Sequence, residues 1–176
     1  MSVPKEVLAL IERFSDNKAS YMSNSGYNET QVRHEFIDPL FEALGWDINN
    51  KNGYAEAYKD VIHEDAIKIA GRSKAPDYAF LIGGTRKFFL EAKRPSVNIK
   101  DDPASAYQLR RYAWSAKLPL SILTDFEEFA VYDCRVRPEL SDKASAARTL
   151  YVRYDEYAER WNEIPLLSIL LLTIRY

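Results

Sequence analysis

APDYAFLIGGTRKFFLEAKRP, residues 75–95, reads as a β-hairpin whose open end carries charge. Asp77 to Ile82 and Lys87 to Ala92 are apolar, aromatic-rich runs of strand length. Gly83-Gly84-Thr85 between them is the short glycine-containing connection that joins antiparallel strands. Asp77 heads the first strand, Glu91 follows fourteen residues later near the end of the second, and Lys93 lies two further on. Side chains two apart on a strand share a face, so Glu91 and Lys93 project together. Pairing about the turn brings Asp77 opposite Glu91, each about seven residues from the turn's centre.

Two carboxylates so placed repel unless a cation sits between them, and a hard divalent ion takes such oxygens while keeping some waters. A metal there polarises a phosphoryl oxygen and activates water. A neighbouring lysine orients or deprotonates that water, or neutralises charge building on the phosphate. A bare D…ExK match is commonplace at strand ends and usually marks a surface ion pair. Here the strands it terminates are apolar almost throughout (Tyr78, Ala79, Phe80, Leu81; Phe88, Phe89, Leu90), and a charge at the end of a buried strand needs a partner.

Outward from the hairpin, apolar positions Val7, Leu8, Ile11 and Phe14 predict a helix over 4–15, followed by a Ser- and Asn-rich loop over 16–28. Val32, Phe36, Leu40 and Leu44, widened by Ile37 and Phe41, predict a helix from Glu29 to Leu44, capped by Asn28 or Thr30, closed by Gly45, and bent or split at Pro39. Ala66 to Ile69 has strand character. Asp102-Pro103 opens a helix to about Ala116. Pro119 to Leu123 and Glu128 to Tyr132 read as strands, 135–147 as a loop, Leu150 to Arg153 as an edge strand, and Asp155 to Trp161 as the start of a last helix. The expectation is an α/β fold with a central mixed sheet of four or five strands flanked by helices, forming a single domain over 1–176.

Composition fits a soluble globular protein: 47% hydrophobic and 28% charged, with 6 Gly and 8 Pro. The lone Cys134 forms no internal disulfide, and with no signal-peptide pattern at the start the expectation is cytoplasmic. The apolar run Ile164 to Ile174 is shorter than the roughly 20 residues that cross a bilayer, so no membrane partner is expected. The net charge of −2 hides a basic middle: +7 from Lys68 to Lys117 against −9 elsewhere. That asymmetry suits a surface meeting a polyanion, and equally suits a solvated basic face. His34 and His63 lack zinc-site spacing, Cys134 reads as core, and no GxxxxGK[ST] loop is present.

Asp77, Glu91-Ala92-Lys93 and Gln108-Leu109-Arg110-Arg111-Tyr112 resemble the motifs of the PD-(D/E)xK nucleases with a following QxxxY signature. The combination is similar to the nuclease domains of type I restriction subunits and type IIG restriction–modification enzymes. It also takes in ETQVRHEFIDPLFEALGW and LTDFEEFAVYDCR, spanning about Thr30 to Arg137. The resemblance implies a restriction-endonuclease-like core and a DNA endonuclease of a restriction system. It implies Mg²⁺ (Mn²⁺ substituting) held by Asp77, Glu91 and the Ala92 backbone carbonyl, with Lys93 catalytic. In such families an acid on the first helix joins the metal site, and Glu35 is the matching position, although a helical Glu beside an apolar stripe is commonplace at a surface. Gln108 and Tyr112, an i, i+4 pair on one helix face, are expected over the carboxylate end of the sheet at the DNA. Arg94, Arg110 and Arg111 are expected as phosphate contacts or solvated arginines.

The resemblance implies a methyltransferase, specificity or helicase domain or subunit as the partner besides DNA. The apolar close IPLLSILLLTIRY then reads as a cut-out domain, a truncated product or a subunit missing its partner. The rival readings are a repair or recombination nuclease of the same fold, an inactive DNA-binding module with that fold, and an α/β interaction domain.

Overall fold

The computed structural model describes residues 2–23 and 26–164. Eight strands form among the described residues: β1 Val61–His63, β2 Ile67–Ile69, β3 Arg72–Lys74, β4 Tyr78–Ile82, β5 Thr85–Ala92, β6 Leu120–Thr124, β7 Glu128–Asp133 and β8 Arg148–Arg153. Six make one mixed sheet in the order β1-β4-β5-β6-β7-β8, and β2-β3 form a separate two-stranded ribbon. The β5–β6 pair is parallel and the other pairs of the large sheet are antiparallel. The expected α/β architecture with a restriction-endonuclease-like core is present, with one strand more than anticipated. Three-residue β1 is too short to show a period. Ala66 to Ile69 joins the ribbon rather than the sheet, and β8 is an edge strand as expected.

Helices cover both faces of the sheet. On one side lie α1 (Lys5–Met22), then α2 (Glu29–Val32), a π turn (Arg33–Ile37) and α3 (Asp38–Ala43), packed through Phe14, Phe36, Leu40 and Phe41 onto Tyr78, Phe80, Phe88 and Leu90. On the other, α4 (Pro103–Ser115) sets Ala106, Leu109, Tyr112 and Ala113 against Ala79, Phe89, Leu123 and Ala130. Strand parity therefore sorts the hairpin: even-numbered residues from Phe88 face the first layer, and odd-numbered ones face α4.

α1 runs seven residues past the expected end at 15. Tyr21 stacks on Phe14 (5.3 Å) and packs edge-on to Phe36 (5.1 Å), and Lys18 pairs with Glu127 at 2.7 Å. These tertiary contacts carry the helix through a stretch whose local sequence is polar. Pro39 acts as expected, by a specific route. It offers no N–H to the Glu35 carbonyl, the ladder slips to the i→i+5 pattern with Asp38 N–H donating to Arg33 O, and the Arg13 guanidinium donates to the freed Glu35 carbonyl. After β8 the chain makes short 3-10 helices, Tyr154–Glu156 and Trp161–Glu163, instead of the expected helix from Asp155. The closing run 165–176 lies outside the described residues.

Gly83 and Gly84 both have positive φ (57° and 76°), the requirement of a type I′ hairpin turn. A Cβ on Gly84 would also stand 2.9 Å from the Ala57 carbonyl oxygen. Gly84→Ala is expected to cost about 2 kcal/mol or more, from a left-handed backbone and a clash with main chain. Urea unfolding checks this; a loss below about 0.5 kcal/mol, the scatter of neutral substitutions, would show that the turn adapts.

Candidate active site

The hairpin's register contains one irregularity, and that irregularity builds the site. Next to the turn, Ile82 pairs with Thr85 and Leu81 with Arg86. Beyond the shift at Phe80/Leu81, Phe80 pairs with Phe88 and Tyr78 with Leu90, so Lys87 is the extra residue on β5. Unbroken pairing from the turn would have set Asp77 opposite Leu90 and turned Glu91 to the other face. The bulge moves β5 by one residue, and Asp77 and Glu91 come to share the α4 face with Lys93.

At that end of the sheet Asp77 Oδ2 accepts the Ala92 amide N–H at 2.7 Å, which clamps the head of β4 to the end of β5. Glu91 Oε1 accepts from Lys93 Nζ at 3.4 Å and from Gln108 Nε2 at 3.0 Å. Its other oxygen, Oε2, is buried with no hydrogen-bond partner among the described residues. The Glu91 side chain is 9% exposed and that of Lys93 15%, so the pair sits largely out of water. Burial first, and the charge of Asp77 second, push the Glu91 carboxyl up to about 7, against the pull of Lys93. A buried carboxyl with one orphaned oxygen, facing a second carboxylate and a lysine, is arranged to receive a positive charge.

Arg33, which no feature of the sequence singles out, meets Asp77 from the other helical layer. Its guanidinium lies 3.5 Å from Asp77 Oδ1 and stacks over Tyr78, 4.6 Å from the ring centre. Arg33 Nη2 is 3.3 Å from His63 Nδ1, while His63 Nε2 lies 3.0 Å from the Ile48 carbonyl. A proton on Nε2 satisfies both contacts, so His63 holds Arg33 in place as an acceptor. His34 pairs with Asp38 at 3.2 Å, and Asp38 also accepts from Tyr78 Oη at 2.7 Å.

Gln108 donates directly to Glu91, which makes it an orienting group for that carboxylate. Tyr112, one turn along α4, is nearly buried, and its phenol is pushed up by burial and by the charge of Glu91. Arg94 and Arg111 are exposed. Arg110, expected at a phosphate, is 1% exposed and faces inward: Nη1 pairs with Asp142 at 2.7 Å and Nη2 lies 3.5 Å from the carbonyls of Val136 and Arg137. It pins the 135–147 loop onto α4, because its position on the helix falls on the core side. Glu35 rides on the helical layer across the sheet from Glu91, and its carboxylate accepts from Tyr27 Oη at 3.2 Å. Among the described residues no three His, Cys, Asp or Glu side chains gather as a metal-holding group.

The mixed six-stranded sheet flanked by helices on both faces is a restriction-endonuclease-like core. Residues 58–140 match the family described as the N terminus of the type I restriction enzyme R protein. Over 166 residues, 93% of this chain, the sequence is 39% identical to RM.Eco57I of Escherichia coli, a type II restriction enzyme and methyltransferase. The chain spans 16% of that relative's length. No solved structure matches it. The resemblance drawn from the motifs thus holds in both comparisons. The matched segment contains Asp77, Glu91, Lys93, Gln108 and Tyr112, and excludes Arg33 and Glu35.

Proposed function

We propose that this chain is the nuclease part of a restriction system and hydrolyses DNA phosphodiester bonds with the help of a divalent cation. The observation that carries the reading is the buried Glu91 Oε2, without a hydrogen-bond partner among the described residues, facing Asp77 beside Lys93. The donor set fits magnesium: two carboxylates and the Ala92 carbonyl suit an ion that keeps most of its water, while a closed zinc or calcium cage takes more protein ligands. When bound, the ion supplies Lewis acidity to the phosphoryl oxygen and a more acidic water. Manganese fits the same oxygens.

The chain's own groups divide the remaining work. Asp77, tied to the Ala92 amide and backed by Arg33, keeps one carboxylate fixed at the head of β4. Glu91 is aimed by Gln108 and by Lys93. Lys93 is suited to orient the attacking water through its N–H donors, or to meet negative charge on the scissile phosphate. The relative's methyltransferase makes a modification domain or subunit the natural partner in protecting host DNA. A cytoplasmic location follows from that reading; among the described residues no helix is long and apolar enough to cross a membrane.

The test is incubation of the chain with supercoiled plasmid and magnesium, where open-circular and linear products are expected and EDTA should prevent them. Intact plasmid under all divalent-ion conditions, with the protein folded, would instead favour a DNA-binding module that has kept the nuclease fold. Gln108→Ala is expected to lower cleavage about 10- to 100-fold, the worth of a hydrogen bond to a charged group, while magnesium still raises the melting temperature. Loss of the magnesium response in that variant would make Gln108 part of the ion's own coordination.

A further inference from the structure

We infer that the β2–β3 ribbon and the outer face of α4 form the groove that holds the phosphodiester backbone of DNA beside the carboxylates, with Arg72, Lys74 and Arg111 as its phosphate contacts. The inference rests on the nuclease reading for its choice of ligand, and on the groove alone for its chemistry. The cleft has a volume of about 720 Å³. One wall is the ribbon, from which Arg72 and Lys74 project to the same side, being two apart on a strand. The other wall is α4, which presents Tyr107 with Arg111 and Gln108 with Tyr112, both pairs at i, i+4 spacing.

Three features make this groove a site for a polyanion. Among the described residues, no Asp or Glu lines it. Among the same residues Arg72, Lys74 and Arg111 form no ion pair, whereas Arg86, Arg110, Arg135, Arg153 and Arg160 are each committed to a carboxylate. In a chain of net charge −2, three uncommitted cations on one cleft are a concentration of free positive charge. The groove also opens on the active site: Gln108 lines it and donates to Glu91 at 3.0 Å, and Lys74 lies three residues before Asp77. The ribbon is held to the helix by Ile69, buried with Leu109 and Tyr112, so its cations stand on an anchored arm. Tyr107 and Tyr112 add aromatic surface and hydroxyl donors that suit a sugar–phosphate chain without reading its bases.

The experiment is fluorescence anisotropy with unrelated duplexes in EDTA, so that binding is read without cleavage, on wild type, Arg72→Gln/Lys74→Gln and Arg111→Gln. Arg135→Gln serves as a control away from the groove. Wild type should bind with little sequence preference. The double variant should bind roughly tenfold or more weakly, with its log K against log salt slope shallower by about 1.8, the share of two phosphates. Arg111→Gln should lose about half that slope change and the control none. All the substituted groups are exposed, and unchanged melting temperatures with an unchanged magnesium response would show that fold and carboxylates are intact. Wild-type affinity and slope in the double variant, or a wild type that binds no duplex at low salt, overturns the groove. Binding lost as expected in a chain that never cuts plasmid leaves the groove standing and removes the nuclease reading.

Discussion

In plasmid assays with magnesium, Asp77→Asn, Glu91→Gln and Lys93→Ala should each lose cleavage by about a thousandfold or more, roughly 4 kcal/mol of transition-state stabilisation, while each variant stays folded. The amide replacements separate charge from shape. In Asp77→Asn the amide oxygen can still accept the Ala92 N–H that ties β4 to β5, so only the anion is removed. In Glu91→Gln the new side chain still fills the site beneath Gln108 and Lys93. Melting with and without magnesium gives the independent reading: at an ion concentration of 100 times Kd, wild type should gain about 2.7 kcal/mol of stability, and Asp77→Asn almost none. Equal gains in the two proteins would place the ion elsewhere and sink the assignment. Lys93→Ala should keep the magnesium gain, because its role lies with the water and the phosphate.

The parts of this site that lie in one stretch of chain were legible in the sequence, and the parts assembled across layers were not. Apolar strands, a Gly-Gly turn and the spacing of Asp77, Glu91 and Lys93 announced the hairpin, because alternation and turn chemistry are local properties. The bulge at Lys87 was hidden. A count of residues from the turn placed Asp77 near Glu91, but one residue of register decides whether they share a face, and counting cannot resolve that. Arg33 was hidden for another reason: it lies 44 residues before Asp77, on the opposite helical layer, and reaches it past Tyr78. Arg110 and Arg111 are adjacent and chemically identical, yet the helix turns one into the core against Asp142 and the other towards the groove. The length of α1 depended on Tyr21 and Lys18 finding Phe14 and Glu127, partners that no local window contains.

Glu91 couples the site to stability, and the sign of that coupling can be tested. Its carboxyl is pushed up to about 7 by burial and then by Asp77, whereas in the unfolded chain it titrates near the usual 4.5. Between those values the folded protein holds a proton that the unfolded chain has released. The contribution is therefore fully present below about pH 4.5 and is lost as pH rises through about 7. At about 1.4 kcal/mol per unit the loss is on the order of 3 kcal/mol. Buried Asp125 is also raised by burial and adds a slope of its own, so the informative quantity is the difference between wild type and Glu91→Gln. Without metal, that difference should shift in favour of the variant by up to about 3 kcal/mol between pH 5 and pH 8. Magnesium needs the ionised carboxylate, so it should flatten the trend for wild type alone: uptake expels the proton, and affinity rises about tenfold per pH unit until it levels near 7, which offsets the slope set by the proton. Urea unfolding of both proteins at intervals from pH 5 to 8, with EDTA and with magnesium, measures all of this. Parallel curves for the two proteins would mean that Glu91 is ionised throughout that range. Its orphaned oxygen would then need a partner other than a proton.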